Sequence, residues 1–224
     1  MIPLKDENPS RSVPFITLLL IAANLAVFAY ELTLPPAGLR GLILDLGAVP
    51  ASFGFHQTSP SLPAGLPWLT LVTSMFLHGG FLHIGGNMLY LWIFGDNVED
   101  TLGHVRFLVF YLFCGIAASL LQIAVLPSSP VPLVGASGAI AGILGAYAIL
   151  FPSARIRTLV FFIFFIRIVP IPALIVLGIW FLMQVLSVPS SERSGVAFFA
   201  HVGGFLVGML LAGLFARRGR RRTA

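Results

Sequence analysis

Long apolar stretches, each close to the length of a bilayer-spanning helix, dominate this sequence of 224 residues. A helix needs roughly 20 mostly apolar residues to cross about 30 Å of hydrocarbon. Charged residues make up 9% of the chain, compared with about 25% in soluble domains, so they cannot cover the surface of a water-soluble globule. A chain this apolar would also collapse in water, and Cys114 is its single cysteine. The sequence therefore excludes a soluble monomer, a disordered chain and a disulfide scaffold, and it indicates a polytopic membrane protein.

Six apolar stretches are separated by charged residues or by clusters of proline and glycine. We expect an all-α membrane bundle of six transmembrane helices, over about 13–34, 77–94, 107–126, 134–151, 171–186 and 196–216. The connection 35–68 contains apolar residues and is predicted to be a long external loop that lies partly in the membrane interface. The stretch 155–170 is either an interfacial elbow or the beginning of the fifth helix.

The distribution of positive charge predicts the orientation of the bundle. With both termini in the cytoplasm, all but two of the 13 Lys and Arg residues, Arg40 and Arg193, lie on the cytoplasmic side. The chain then divides into a cytoplasmic segment 1–12, a membrane domain 13–216 and a basic cytoplasmic tail 217–224. The tail is expected to attract anionic lipid headgroups. Nucleic-acid binding is the less favoured alternative, because no aromatic residues alternate with these arginines.

A few polar residues lie within the predicted membrane helices, where each costs free energy unless it has a partner or a water-filled cavity. His78, His83 and Asn87 belong to the second predicted helix, Ser137 lies near the start of the fourth, and His201 lies early in the sixth. Any one of them is readily explained by packing. All five, however, fall toward the external ends of their helices and so at one depth, which indicates a common site.

Small residues accompany both Ser137 and His201 and predict close packing between their helices. They are Gly135, Gly138 and Gly142 around the serine, and Gly204 and Gly208 after the histidine. If these glycine stripes face each other, the serine and the histidine come within hydrogen-bond reach. The imidazole can then take the hydroxyl proton as the oxygen attacks a carbonyl carbon.

The other polar residues at this depth are candidates for stabilising the oxyanion that such an attack creates. His83, Asn87 and the backbone N–H of Ser137 are potential donors. The acidic residues all fall in predicted loops or at helix ends, so no carboxylate is expected to orient His201. The sequence therefore predicts a Ser–His dyad rather than a triad.

A metal or solute transporter that uses His78, His83 and His201 as ligands is an alternative from another class. The lack of intramembrane carboxylates and of internal repeats argues against it. Zinc proteases need the pattern H-E-x-x-H, which does not occur, and aspartyl proteases of the membrane need paired Asp residues within it. We therefore expect no metal and no other cofactor.

The polar residues and glycines, in this order, resemble the rhomboid family of intramembrane serine proteases over about 68–212. The resemblance is carried by H-x4-H-x3-N at 78–87, Gly-Ala-Ser-Gly at 135–138 and A-H-x-x-G-x-x-x-G at 200–208. It implies that Ser137 is the nucleophile and His201 the general base. It also implies that His83, Asn87 and the Ser137 amide form the oxyanion hole, and that His78 supports it.

The same resemblance implies several wider properties. The substrates would be single-span membrane proteins, the fifth helix would act as a lateral gate, and 95–103 would be the loop between the second and third helices. A bacterial cell membrane is the expected location. An inactive relative that binds or escorts membrane proteins is the alternative, disfavoured because both Ser137 and His201 are present.

Two positions depart from the pattern of many members. Trp68 is followed by Leu69 where they have arginine, and Ala141 stands where they have an aromatic residue that stacks on the base. Neither change removes a reacting group, but the second leaves open how His201 is held.

Overall fold

A computed structural model describes residues 1–53, 67–162, 165–191 and 195–216. Part of the predicted external loop, 54–66, and the predicted basic tail, 217–224, lie outside the described residues. Eight α-helices are found in the described part of the chain. They are α1 (Phe15–Glu31), α2 (Pro36–Leu46), α3 (Pro67–Thr73), α4 (Phe81–Leu102), α5 (His104–Val125), α6 (Ser137–Leu150), α7 (Ala173–Ser187) and α8 (Phe198–Phe215).

Each of the six predicted membrane stretches corresponds to one helix, namely α1 and α4 to α8 in order. By length and composition, α5, α8 and the segment Ala173–Ser190 that contains α7 are suited to crossing a membrane. The apolar helices α1 and α6 are shorter. The count of six crossings and the cytoplasmic position of both termini stay predictions. Helix α2 contains no buried residue and lies at the edge of the bundle.

Helix α4 continues through 95–102, so the expectation of a loop over 95–103 is wrong for all but its last residue. Asn97, Glu99 and Thr101 are buried in this extension. The Glu99 carboxylate accepts hydrogen bonds from the backbone N–H groups of Ile16 (2.8 Å) and Thr17 (2.7 Å) at the start of α1. The polar residues of this extension have hydrogen-bond partners while the backbone stays helical. The helix ends at Leu102, and the next residue, Gly103, adopts a φ of 82°.

The fold is mostly helical, as expected, but it is not all-α, because the described chain also contains a three-stranded antiparallel sheet in the order β1-β2-β3. The strands are β1 (Ile2–Asp6), β2 (Arg155–Phe162) and β3 (Phe165–Pro172). The described residues of 155–170 therefore belong to two paired strands and are not the start of α7. The β-branched and aromatic residues of this stretch favour strands, and burial alternates along β2, where Ile156 and Thr158 are buried and Arg155 and Arg157 exposed.

Close approach of α6 and α8 forms the centre of the bundle. A Cβ atom placed on Gly204 would collide with the carbonyl oxygen of Gly138, and one on Gly208 would collide with that of Gly142. The two glycine stripes therefore face each other, which lets the backbones meet without intervening side chains. This contact determines where the first residues of the two helices lie.

Candidate active site

The side chains of Ser137 and His201 meet where α6 and α8 begin. Ser137 is the first residue of α6, and His201 lies in the first turn of α8. The distance between Ser137 Oγ and His201 Nε2 is 2.7 Å. This is a normal hydrogen-bond length, and it joins a hydroxyl to a nitrogen able to accept its proton. The first N–H groups of an α-helix have no partner within the helix, so those at the start of α6 lie beside the serine.

The length of α6 bears on the depth at which this contact would lie in a membrane. Its 14 residues extend about 21 Å at about 1.5 Å per residue, which is about 9 Å less than the hydrocarbon thickness. A helix that ends at the opposite boundary of the membrane would therefore start below the near surface.

His201 has a second polar partner that the sequence analysis did not include. Gln184 of α7 lies with its Oε1 2.8 Å from His201 Nδ1. A signal for it was present, because Gln184 is a polar amide within an otherwise apolar helix, and such residues face the interior or a cavity. The two ring nitrogens thus bond to side chains from two different helices.

Aromatic rings flank the imidazole of His201. The ring of Trp180 is tilted against it at a centroid distance of 6.2 Å, and that of Phe198 meets it edge-on at 6.1 Å. Ala141, where an aromatic residue was expected from the family pattern, is a fully buried alanine of α6. Aromatic contacts to the histidine are therefore present, but α7 and α8 supply them instead of α6.

His83 faces the turn that leads into Ser137. Its Nδ1 accepts a hydrogen bond from the Gly79 N–H (3.3 Å), so in the neutral ring the proton resides on Nε2. A Cβ on Gly135 would lie 2.6 Å from that Nε2, and the φ of 112° at Gly135 also favours glycine. The lack of a side chain at Gly135 therefore lets the imidazole N–H of His83 approach the serine turn.

Asn87 lies one turn further along α4 and is held by His78. Its Nδ2 is 3.0 Å from His78 Nε2, and His78 Nδ1 is 3.3 Å from the carbonyl oxygen of Phe76. The carbonyl accepts from Nδ1–H, so Nε2 accepts from the Asn87 amide. One N–H of that amide stays available to the cavity. His78 was expected on the second helix, but it precedes α4, which begins at Phe81.

Three of the described carboxylates are buried, those of Asp6, Glu31 and Glu99, and Glu99 lies within a helix, contrary to the expectation that acids occupy only loops and helix ends. Glu99 and Glu31 are nearly inaccessible to solvent. Glu99 lies within α4 and bonds to the start of α1, while Glu31 accepts the backbone N–H of His78 at 3.1 Å. Neither bonds to the His201 ring, whose nitrogens bond to Ser137 and Gln184.

A cavity of about 660 Å³ opens onto these residues. His83, Asn87, Ser137 and His201 all contribute to its lining, as do Trp180 and Gln184 of α7 in the same wall. Gly79 precedes α4, Gly195 to Ala197 precede α8, and Phe198 is the first residue of α8. The cavity is large enough to admit water and an extended stretch of peptide.

Comparison with known proteins identifies the family. The family model described as the Rhomboid domain matches residues 66–218. The chain is 36% identical over 170 residues to rhomboid protease GluP of Bacillus subtilis, covering 73% of this chain and 31% of that protein. It is 33% identical over 153 residues to the mitochondrial rhomboid protein 1 of Saccharomyces cerevisiae, covering 63% of this chain and 40% of that protein.

A similar match is found to RHOMBOID-like protein 1 of Arabidopsis thaliana, 31% identical over 196 residues. The matched part thus spans well under half the length of these relatives. The family match covers more than half of this chain and includes all of the polar cluster around Ser137, and several helices are suited to the bilayer. The chain is therefore an integral membrane protein that belongs to the rhomboid family.

Proposed function

We propose that this protein is an intramembrane serine endopeptidase that cleaves single-span membrane proteins in or near their transmembrane segments. The observation that carries the proposal is the 2.7 Å contact between Ser137 Oγ and His201 Nε2. It joins a nucleophile to a base inside an apolar bundle. The names of relatives that include rhomboid proteases support the same activity.

In the proposed reaction, Ser137 Oγ attacks the carbonyl carbon of the substrate while its proton passes to His201 Nε2. The carbonyl oxygen becomes an oxyanion that accepts hydrogen bonds from His83, Asn87 and the Ser137 N–H. Collapse of this intermediate breaks the C–N bond, and the amine leaves with the proton from His201. A water molecule that gives its proton to His201 then hydrolyses the acyl-enzyme, and Ser137 regains its own.

The nature of the substrate follows from the chemistry of a helix. The carbonyl groups of a helical segment are already hydrogen-bonded, so the segment has to unwind before Ser137 can attack it. Glycine, proline and other weak helix formers near the cut reduce the cost of unwinding. We therefore propose transmembrane segments with such residues as the substrate class.

The proposed setting is a bacterial cell membrane with both termini cytoplasmic, as the distribution of positive charge indicates. The likeness to a Bacillus subtilis protein favours this setting. Membrane lipids surround the bundle, and no nucleic acid or cofactor takes part in the proposed reaction. The histidine rings support a protease over metal transport, since the nitrogens of His201 bond to Ser137 and Gln184.

The test is cleavage of a purified single-span protein in liposomes by wild type, Ser137→Ala and His201→Ala. Each variant is expected to lose at least about 10³-fold in kcat, because nucleophile and base act as a unit. The exposed Ser128 offers a matched control, and Ser128→Ala should retain wild-type activity. A fluorophosphonate should label wild type at Ser137 and leave Ser137→Ala unlabelled.

Cleavage that persists in either active-site variant would contradict the proposed Ser137–His201 dyad. An escort protein would bind the substrate equally well in wild type and Ser137→Ala, with cleavage in neither. Chelator-sensitive transport would favour the metal alternative.

A further inference from the structure

The imidazole of His201 bonds to polar side chains of two helices. Nε2 contacts Ser137 Oγ of α6 at 2.7 Å, and Nδ1 contacts Gln184 Oε1 of α7 at 2.8 Å. A neutral imidazole carries one proton, so one nitrogen donates while the other accepts. The partner of Nδ1 therefore decides whether Nε2 can accept the serine proton.

The orientation of the Gln184 amide is set by its own helix. Gln184 Nε2 donates to the carbonyl oxygen of Trp180 at 3.3 Å, and that oxygen can only accept. The amide nitrogen thus points along α7 and the amide oxygen points at His201. Since Gln184 Oε1 also only accepts, the imidazole proton lies on Nδ1. Nε2 is left with the lone pair that the base needs.

The plane of the ring is restricted by the same helix. Trp180 lies four residues before Gln184, so the two side chains share a face of α7. The indole lies against His201 at 6.2 Å, and it also stacks on Phe205 of α8 at 6.0 Å. One face of α7 therefore supplies both the hydrogen bond and an aromatic contact to the base.

Helix α7 is also the least embedded of the long apolar helices. Only 17% of its apolar stretch is buried in the protein, compared with 39% for α5 and 33% for α8. Leu182 and Leu186 are exposed on it. Helix α7, which bonds to the base from outside α8, is thus the one of these three with the smallest buried share.

We propose that Gln184 is a positioning residue that fixes His201 in the tautomer competent to accept the Ser137 proton, assisted by Trp180. This inference rests on the proposed protease function. It assigns the role of the carboxylate of a Ser–His–Asp triad to a neutral amide on a different helix. The orientation of the base then depends on the place of α7.

The test compares Gln184→Met, which keeps the length of the side chain without the amide, with Gln184→Glu, which restores an acceptor for Nδ1–H. We expect Gln184→Met to lower kcat by about 10- to 100-fold, the usual effect of losing a buried hydrogen bond to a reacting group, with KM little changed. Gln184→Glu should recover most of this loss. Its added negative charge should also move the acidic limb of the kcat/KM profile to higher pH, because it favours the imidazolium.

His83 and Tyr90 are the other titratable residues that line the cavity with His201, and both stay constant across these variants. The matched control is Gln122, a buried glutamine of α5 whose Oε1 accepts the N–H of Ala200 at 3.2 Å. Gln122→Met removes a comparable bond beside His201 without touching the ring. It should alter thermal stability but not the pH profile.

Two further measurements separate positioning from other roles. The rate of fluorophosphonate labelling at Ser137 reports on the base without requiring entry of a helical substrate, and it should fall with kcat in Gln184→Met. The imidazole ¹⁵N chemical shifts of His201 should show the Nδ1–H tautomer in wild type and a mixture in Gln184→Met, even if Gln184→Glu fails to fold.

The inference is overturned if Gln184→Met keeps wild-type kcat, labelling rate and tautomer. It is also overturned if cleavage falls while labelling does not, since Gln184 would then act on substrate entry. If Gln184→Met and Gln184→Glu had equal cleavage rates and pH profiles, Gln184 would have only a structural role. If wild type neither cleaved the substrate nor was labelled, the proposed function itself would be contradicted.

Discussion

Asn87 depends on His78 for its orientation, because the Asn87 amide donates to His78 Nε2. His78 is itself fixed, since its Nδ1 bonds to the carbonyl oxygen of Phe76. Fixed donors stabilise an oxyanion without reorganising at the moment of reaction. The position of Asn87, the proposed oxyanion donor, is therefore determined by a residue outside α4. The bond from the backbone of His78 to Glu31 connects this arrangement to the end of α1.

Kinetics of single and double variants test this dependence. Asn87→Ala is expected to lower kcat by about 10²- to 10³-fold, as loss of one oxyanion donor does in a known protease. His78→Ala should have a smaller effect, and the double variant should be no slower than Asn87→Ala alone, because the two residues act through one amide. The measurement is kcat on a single-span substrate. Additive losses would mean that His78 acts separately from Asn87.

At the level of elements, the contact between α6 and α8 determines whether the site exists. Ser137 and His201 are 64 residues apart in the chain, and the facing glycines allow their helix ends to meet. Helical glycines ordinarily lower stability. Here they allow the backbones to approach to a distance at which any Cβ would collide.

Gly208→Ala is expected to destabilise the bundle and lower activity together, because the added Cβ collides with the backbone carbonyl of Gly142. Overpacking of this kind costs about 1–3 kcal/mol. Gly178→Ala in α7 is the matched control, since a Cβ there meets nothing within 4 Å and should stabilise the helix slightly. Thermal unfolding in detergent measures both. Equal melting temperatures for the two variants would contradict the role of the glycine contact.

On the scale of the whole molecule, the sheet connects the N-terminal segment to the bundle. Strand β1 pairs with β2, and the Asp6 carboxylate accepts a hydrogen bond from the buried Tyr147 hydroxyl of α6 at 2.9 Å. Asn8 bonds to Asn97 of α4 at 2.9 Å. Segment 1–12 therefore packs on the helices that carry the site.

Stability should depend on pH through Asp6. Burial raises the pKa of Asp6 from 3.8 to about 6, with the bond from Tyr147 opposing and the charge of Asp96 adding to the shift. The folded protein binds this proton more tightly than the unfolded chain does. The contribution to stability is therefore fully present below about pH 4 and is lost as the pH rises through about 6.

Asp6→Asn tests this expectation, because the amide oxygen still accepts from Tyr147 but does not titrate. Asp6→Asn should match wild type in melting temperature near pH 4 and exceed it near pH 7.5. Glu7→Gln on the same strand is the control, since Glu7 bonds to Arg157 at the exposed side of the sheet. If the melting temperature of wild type rose relative to that of Asp6→Asn between pH 4 and pH 7.5, the predicted pH dependence of stability would be wrong.

The sequence alone determined the apolar stretches and the residues with the chemistry of the site. A membrane helix has to be long and apolar whatever its neighbours are, so each predicted stretch could be recognised locally. Ser137, His201, His83 and Asn87 stood out for the same reason, since polar groups at depth have to have partners. The family resemblance is confirmed by the match over 66–218.

Only the tertiary structure decided which partners those groups have. Gln184 bonds to His201 from another helix. Glu99 remains within a helix because the start of α1 supplies its hydrogen-bond donors. Strand β1 forms because β2 lies beside it. In each case the deciding partner is distant in the chain. A local sequence pattern indicates that a residue is buried or requires a hydrogen bond. Which residue becomes its partner is determined by the packing of the helices.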